Sequence, residues 1–413
     1  MTTATNTSRA KPTIKRFFRD NFDVPLGIAV LTLMAFGFLM VYSASWQYAV
    51  GMGNSAYSTV VKQMIIGVLG CGVAIALTFF DYHRFRNLVV VAMAGTIILL
   101  LAVLIFGSIG DFGAKRALFN GSIQPSEIAK LVVILYLCVW LNSKRDVMDQ
   151  WSFGLIPLMG ILGITAGLIL AQPDVSAAAT VIILGGVLFY IAGGKLRQIL
   201  VVVLVAGVLG ALVVLVYKTA RVRLTDYWNG MQNPENASDH VKWSLEAIIN
   251  GGVFGVGLGR STTKFIGLPV APTDSIFAVI TEETGLIGAF FVIAIYVFIL
   301  WRGMKIANEA KDDLGRWIAA GITLWITIEA MINMGVIVNL LPFAGNALPL
   351  VSSGGSSLMT VLMGIGILMG VSRNSKLSKN SASEGSPYGK AVDLRRGDRR
   401  GSVSRPVDLS GSR

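Results

Sequence analysis

The chain alternates between long apolar stretches and short polar ones. Ten apolar runs of spanning or near-spanning length are centred near residues 35, 70, 97, 134, 162, 184, 208, 289, 328 and 364. A bilayer hydrocarbon core about 30 Å thick is crossed by about 20 apolar residues of helix, and a backbone in lipid must satisfy its own hydrogen bonds. The runs are too long and too continuous for barrel strands. The pattern therefore predicts an all-α polytopic membrane protein of about ten transmembrane helices. One interval between runs is long: residues 218–273 form an outer loop between spans seven and eight. Residues 1–22 are polar and basic, and the first run continues without a small-residue cleavage site, which predicts an uncleaved first span. Three units result: a basic N-terminus at 1–22, a membrane domain at 23–373, and a disordered basic tail at 374–413, rich in Ser, Gly and Arg.

Composition narrows the class. With 54% hydrophobic and 14% charged residues and a mean hydropathy of +0.67, the chain has more apolar surface than one soluble core can hide. Cys71 and Cys138 lie inside apolar runs, which excludes a disulfide framework and a zinc-knuckle spacing. Charge then fixes orientation. With the N-terminus inside, most of the 35 lysines and arginines fall on inside segments, so both termini are expected in the cytoplasm. The outside minority is concentrated at Lys115 and Arg116 and in the long loop, at Lys218, Arg221, Arg223, Lys242, Arg260 and Lys264. Positive charge kept on the outer side opposes the usual bias and points to an anionic ligand there.

The segment LPVAPTDSIFAVITEETG, residues 268–285, carries Asp274, Glu282 and Glu283 from a Pro-rich loop into an apolar run. A carboxylate near a bilayer centre costs roughly 2.5–3.5 kcal/mol on insertion scales, so its presence marks a function. Two plain alternatives stand beside that. Asp274 is placed to cap the helix that follows, and Glu282, two helical turns on, is expected to pair with a buried basic residue.

Six separated blocks then resemble one family: VYSAS at 41–45, GAKRALFNGSIQPSEIAKL from Gly113, QPD from Gln172, GGVFGVGLGRSTTKFIGLPVAPTDSIFAVITEETGLIG from Gly251, NMGVIVNLLP from Asn333 and ALPLVSSGGSS from Ala347. In this order, on ten spans with a long outer loop, they resemble the SEDS proteins (shape, elongation, division and sporulation), and the division-type branch more than the elongation-type one. The resemblance covers about residues 22–373. It implies a peptidoglycan glycosyltransferase that polymerises lipid II at the outer face of the cytoplasmic membrane. It also implies a class B penicillin-binding protein and other divisome proteins as partners, with no nucleic acid. Asp274 matches the family's essential aspartate.

The chemistry fits that implication. A sugar hydroxyl attacks an anomeric carbon while a polyprenyl diphosphate leaves. One carboxylate can accept the hydroxyl proton, and cations can neutralise the leaving group. Asp274 is assigned as general base, or as ligand of a divalent cation (Mg²⁺ or Mn²⁺), and the residue types do not separate the two; no organic cofactor is expected. Substrate binding is assigned to Arg116, Lys130, Arg260 and Lys264, then to Gln172, Asp174, Ser356 and Ser357. Glu127, Glu282 and Glu283 are assigned supporting roles. Glu127 and Lys130, three apart on one helix face, can instead pair with each other.

Several letters depart from the family pattern: Pro272 where His is common, Ser275 where Phe is common, Ser353 for Tyr, Glu329 for Gln, and His240 and Trp243 for Gln. Two other functions remain open on the sequence. A lipid II flippase fits the intramembrane charges, though no internal repeat is evident. A membrane scaffold fits the tails and helix faces.

Overall fold

The computed structural model describes residues 21–51, 57–109, 115–117, 124–148, 150–343 and 345–384. The apolar runs are helices: α1 Val24–Gly51, α2 Ser58–Phe79, α3 Phe85–Phe106, α4 Pro125–Ser143, α5 Ile156–Ala171, α6 Val175–Ile191 and α7 Leu196–Val216. After the interval 217–275 come α11 Ile276–Asn308, α12 Asp313–Ile337 and α13 Gly355–Glu384. Nine helices among the described residues are long and apolar enough to cross a membrane, and α6 is a shorter apolar tenth. Its 17 residues reach about 26 Å at 1.5 Å per residue. The chain is a multi-pass membrane protein with ten apolar helices among the described residues, as the periodicity predicts.

Burial sorts these helices. In α12 and α13 two thirds of the spanning window is buried, while in α7 only 6% is. Val68, Val91, Ile105 and Leu204 present bare apolar side chains on the outside of the bundle, which lipid tolerates and water does not. The two described ends meet at one end of the bundle. Asp23 takes a two-pronged hydrogen bond from Arg302 at 2.8 Å and 2.8 Å, and Ser372 Oγ also donates to it at 3.2 Å. Arg373 reaches Asn21 and Lys376 reaches the Phe22 carbonyl. An even number of crossings brings both ends to the same side of the membrane, where such a meeting is possible. Burial raises the Asp23 pKa, but the Arg302 hydrogen bond and charge and the Leu26 N–H outweigh it and hold it below its ordinary value.

The long interval 218–273 holds helices of its own, α8 Lys218–Gln232, α9 Asp239–Gly251 and α10 Thr263–Ile266. Apolar anchoring through Val241 and Ala247, both buried, seats α9 on the bundle, so a short apolar stripe suffices to hold it. The last helix also continues to Glu384, so residues 374–384 are helical rather than part of a disordered tail. Residues 1–20 and 385–413 lie outside the described residues.

One break matters for the site. The 33 residues of α11 would extend about 50 Å if straight, but the helix is kinked at Gly285, whose φ is 69°. The segment after α9 hooks over this kink: Val256 N–H donates to Glu282 O at 2.9 Å, Gly257 N–H to Glu283 O at 3.0 Å, and Leu286 N–H to Gly252 O at 3.0 Å. A Cβ at Gly255 would stand 2.3 Å from the Glu283 carbonyl, so only glycine allows this approach. Residues 276–284 therefore form a short helical step beneath the outer helices.

Candidate functional site

Asp274 sits in the turn that leads into that step, partly exposed. Pro269 and Pro272 remove backbone donors here, and Val270 adopts a φ of 46°, so the turn satisfies itself only through the carbonyls of Pro269 and Val270, and those of residues 272–274 take partners from elsewhere. Ser353 N–H donates to Pro272 O at 2.8 Å. Ser352 Oγ donates to Thr273 O at 2.6 Å and accepts from Leu348 N–H at 2.7 Å. Asn333 Nδ2 donates to Asp274 O at 2.9 Å and also to Asn346 O. Three consecutive carbonyls are thus held from α12 and from the segment before α13. Gly345, with φ 64°, closes one side: a Cβ there would lie 3.4 Å from Asp274 Oδ2. The N-cap position belongs to Ser275, whose side chain makes no capping hydrogen bond.

Ser275 Oγ lies 2.6 Å from Pro269 O and 2.7 Å from His240 Nε2. His240 is buried on α9 against Phe343, ring centroids 4.3 Å apart, and Arg223 of α8 stands 4.9 Å from the Phe343 centroid. Burial, then the Arg223 charge, pushes the His240 pKa down to about 4, so the imidazole is neutral at pH 7. In the sequence His240 stands out only as a departure from the family pattern and Arg223 only as one of the loop cations, because the histidine's partner is a serine 35 positions away.

The structure divides the chosen cations. Lys130 is buried, pairing with Glu127 at 2.9 Å and with Glu329, beside the Trp325 ring at 5.9 Å. An ammonium buried in the bundle needs this much opposite charge, so its assignment to substrate is corrected to an internal cluster; Glu127 is its partner. Lys264 Nζ pairs with Glu283 Oε1 at 2.6 Å and donates to Ser43 Oγ at 3.0 Å. Its side chain is buried, so it too is corrected: it neutralises Glu283. Arg260 is exposed, and its backbone is fixed by the Arg260 N–H to Gly257 O hydrogen bond at 3.1 Å. Arg116 lies in β2 Lys115–Ala117, paired antiparallel with β1 Ser108–Ile109; its side chain is outside the described residues.

The polar motifs are mostly fasteners. Glu282 accepts from the hydroxyls of Ser261, Thr262 and Thr263 and from the Thr262 and Thr263 N–H groups, so the expected basic partner is replaced by five neutral donors. Glu283 also takes the Gly259 N–H at 3.0 Å. Gln172 Nε2 binds Leu100 O at 2.9 Å, tying α5 to α3. Asp174 caps α6 through Ala177 N–H at 3.3 Å and receives Ser126 Oγ at 3.0 Å and Gln124 Nε2 at 3.2 Å. Both are buried, which corrects their substrate-binding assignment. Ser356 Oγ accepts from Gln124 N–H at 3.0 Å, joining the start of α13 to the same block, while Ser357 is half-buried one position on. Among the described residues no three His, Cys, Asp or Glu side chains gather as a metal site.

Comparison with known proteins adds to this geometry. A family model described as "Cell cycle protein", covering FtsW, RodA and SpoVE, matches residues 25–377. The chain is 36% identical over 363 residues to a probable peptidoglycan glycosyltransferase FtsW of Geobacter metallireducens, covering 86% of this chain and 96% of the relative. It is 34% identical over 359 residues to stage V sporulation protein E of Bacillus subtilis, covering 86% and 98%. Its fold is similar, at a TM-score of 0.69 and 24% identity over 86% of this chain and 98% of the other, to a chain solved in work on structural coordination of polymerization and crosslinking by a peptidoglycan synthase complex.

Proposed function

This chain belongs to the FtsW, RodA and SpoVE family of cell cycle proteins, and from that premise we propose that it is a peptidoglycan glycosyltransferase polymerising lipid II. The observation that carries the reading is the clamped turn at Asp274: its partly exposed carboxylate is borne on a backbone pinned at residues 272, 273 and 274. A general base gains from such fixing, because a small misplacement of the proton acceptor loses rate.

In the proposed step the acceptor hydroxyl forms its bond to the donor anomeric carbon as the bond to the diphosphate breaks, and Asp274 takes the hydroxyl proton. The departing anion meets Arg260 at the outer surface, with Arg116 in the same role. Lys130, Lys264, Glu127, Glu282 and Glu283 hold the framework. In the alternative role of Asp274, its carboxylate together with the substrate diphosphate would hold a divalent cation, Mg²⁺ or Mn²⁺, which would supply charge neutralisation of the leaving group. The outer end, where α8–α10 lie, faces away from the cytoplasm in this reading, with both termini inside. A septal role is favoured by relatives named FtsW and stage V sporulation protein E. A class B penicillin-binding protein fits as the partner that cross-links the product, in line with the synthase complex whose chain shares the fold.

The test uses purified full-length protein in lipid nanodiscs or vesicles with lipid II. Glycan strands resolved on a gel support a polymerase. Transbilayer movement of the lipid without polymer supports a flippase instead.

A further inference from the structure

A cavity of about 460 Å³ opens at the end of the bundle away from Asp274, lined in part by Phe79, Asp81, Lys311, Arg373, Asn374 and Ser378. Phe79 is the last residue of α2, Ser378 closes the apolar part of α13, and Lys311 stands just before α12. Three spans therefore end at this cavity, which puts it at a bilayer surface. Its cations are unspent. Lys311 is exposed and has no hydrogen bond or ion pair among the described residues. Arg373 donates through Nε to Asn21 Oδ1 at 2.9 Å and lies 4.8 Å from the Phe79 ring centroid. Its guanidinium is thus oriented, while its four η N–H groups meet no acceptor among the described residues.

The acids beside these cations do not cancel them. Asp312 is used up: it accepts from Tyr82 Oη at 2.6 Å and from Gly315 N–H at 3.2 Å, and it faces His83 Nε2 at 3.1 Å. Asp81 Oδ1 accepts the His83 N–H at 3.1 Å and faces His83 Nδ1 at 2.7 Å. Its Oδ2 has no hydrogen bond among the described residues, on an exposed side chain. Lys311, Arg373, Asn374, Ser378 and Asp81 are all exposed or half-buried, so a ligand reaches every one. Two spare cations, an amide and a hydroxyl suit an anion with several acceptor oxygens. Asp81 Oδ2 repels a bare phosphate and instead takes the hydrogen of a ligand hydroxyl. Phe79 and Leu377, 43% and 40% exposed, add an apolar rim that a soluble ion leaves in water. A phosphodiester with hydroxyls on one arm and acyl chains on the other meets all three conditions, and basic pockets at the ends of spans hold such headgroups. The volume lies within the roughly 300–1,000 Å³ of small-molecule sites. We propose that this cavity binds one phosphatidylglycerol-type lipid, its phosphate on Lys311 and Arg373 and a glycerol hydroxyl on Asp81. The bound lipid joins the end of α2, the approach to α12 and the last turns of α13, beside the junction of Asp23 with Arg302.

The test is native mass spectrometry of the purified full chain in detergent, with phosphatidylglycerol and phosphatidylcholine of the same acyl chains added in equal amounts. The wild type is expected to hold one phosphatidylglycerol about 25-fold more tightly than phosphatidylcholine, a factor of about five from each cation. Lys311→Gln breaks no contact among the described residues and is expected to lower that preference about fivefold. Lys144→Gln removes an equally exposed lysine at the end of α4 and is expected to leave it unchanged. Phosphatidic acid, which has the phosphate and no glycerol arm, is expected to bind more weakly than phosphatidylglycerol. Equal binding of phosphatidylglycerol and phosphatidylcholine overturns the site, as does a loss in Lys144→Gln matching that in Lys311→Gln, which means general charge attraction only. Phosphatidic acid bound as tightly as phosphatidylglycerol overturns the contact to Asp81. Displacement of the lipid by an equimolar amount of soluble glycerophosphoglycerol overturns the lipid as occupant in favour of a free phosphodiester. None of these outcomes depends on glycan synthesis, so the polymerase reading stands or falls separately.

Discussion

The side-chain amide of Asn333 donates to the main-chain carbonyl of Asp274 at 2.9 Å and also to that of Asn346. One buried residue of α12 therefore fixes the Asp274 peptide and the segment whose Gly345 backs its carboxylate. Asn333→Ala removes both bonds. The expected result is a kcat lower by about tenfold, or about 1.4 kcal/mol, with little change in KM for lipid II. Steady-state polymerisation by folded protein checks it, and a wild-type kcat would show that the turn is held without Asn333.

Lys130 is expected to matter for stability and not for substrate affinity. Removing it leaves Glu127 and Glu329 facing each other inside the bundle, a loss of about 3–5 kcal/mol for a broken buried pair. Lys130→Met should melt well below the wild type in detergent. Adding Glu127→Gln and Glu329→Gln to the same chain should recover most of the loss. A raised KM at unchanged melting temperature would return Lys130 to the substrate.

Arg260 and Lys264 lie four residues apart and separate by readout. Arg260→Ala is expected to raise the lipid II KM about tenfold, because it removes an exposed charge proposed to meet the departing diphosphate. Lys264→Met unpairs Glu283, so its signature is faster amide exchange over residues 257–264. Equal effects of the two variants on KM would contradict this division.

The junction at Asp23 gives a pH dependence. Its carboxyl pKa is depressed in the folded chain, so the stability it adds is present above the unfolded value of about 3.9 and is lost as pH falls through the lower folded value. Melting measured between pH 7 and pH 3 should converge for the wild type and Asp23→Asn at the acid end, while the variant lies lower at pH 7. A gap that stays constant across that range would place the junction's strength elsewhere.

The ten helices were legible because lipid forces a single local solution on each apolar run, and α6 was found even at 17 residues. The helices of 218–273 were not, since their short stripes look like loop until α9 is seen packed on α11. Asp274 was visible as an acid at a loop-to-span junction. Its clamp was not, because Asn333 and Ser352 act on main-chain carbonyls, which carry no residue type. The cations misled for a related reason. Lys130 and Lys264 look free in one dimension, and only the bundle brings Glu329 and Glu283 onto them. His240 with Ser275 was noted as two unrelated departures from the family pattern, yet the two side chains touch.

The central claim is that the carboxylate of Asp274 takes the acceptor proton. The most direct measurement is the polymerisation rate of lipid II by purified wild type and Asp274→Asn, matched for melting temperature and reconstituted in the same lipid. Removing a general base is expected to slow the variant by about 10²–10⁴-fold. A folded Asp274→Asn chain that makes glycan within a few-fold of the wild-type rate would contradict it.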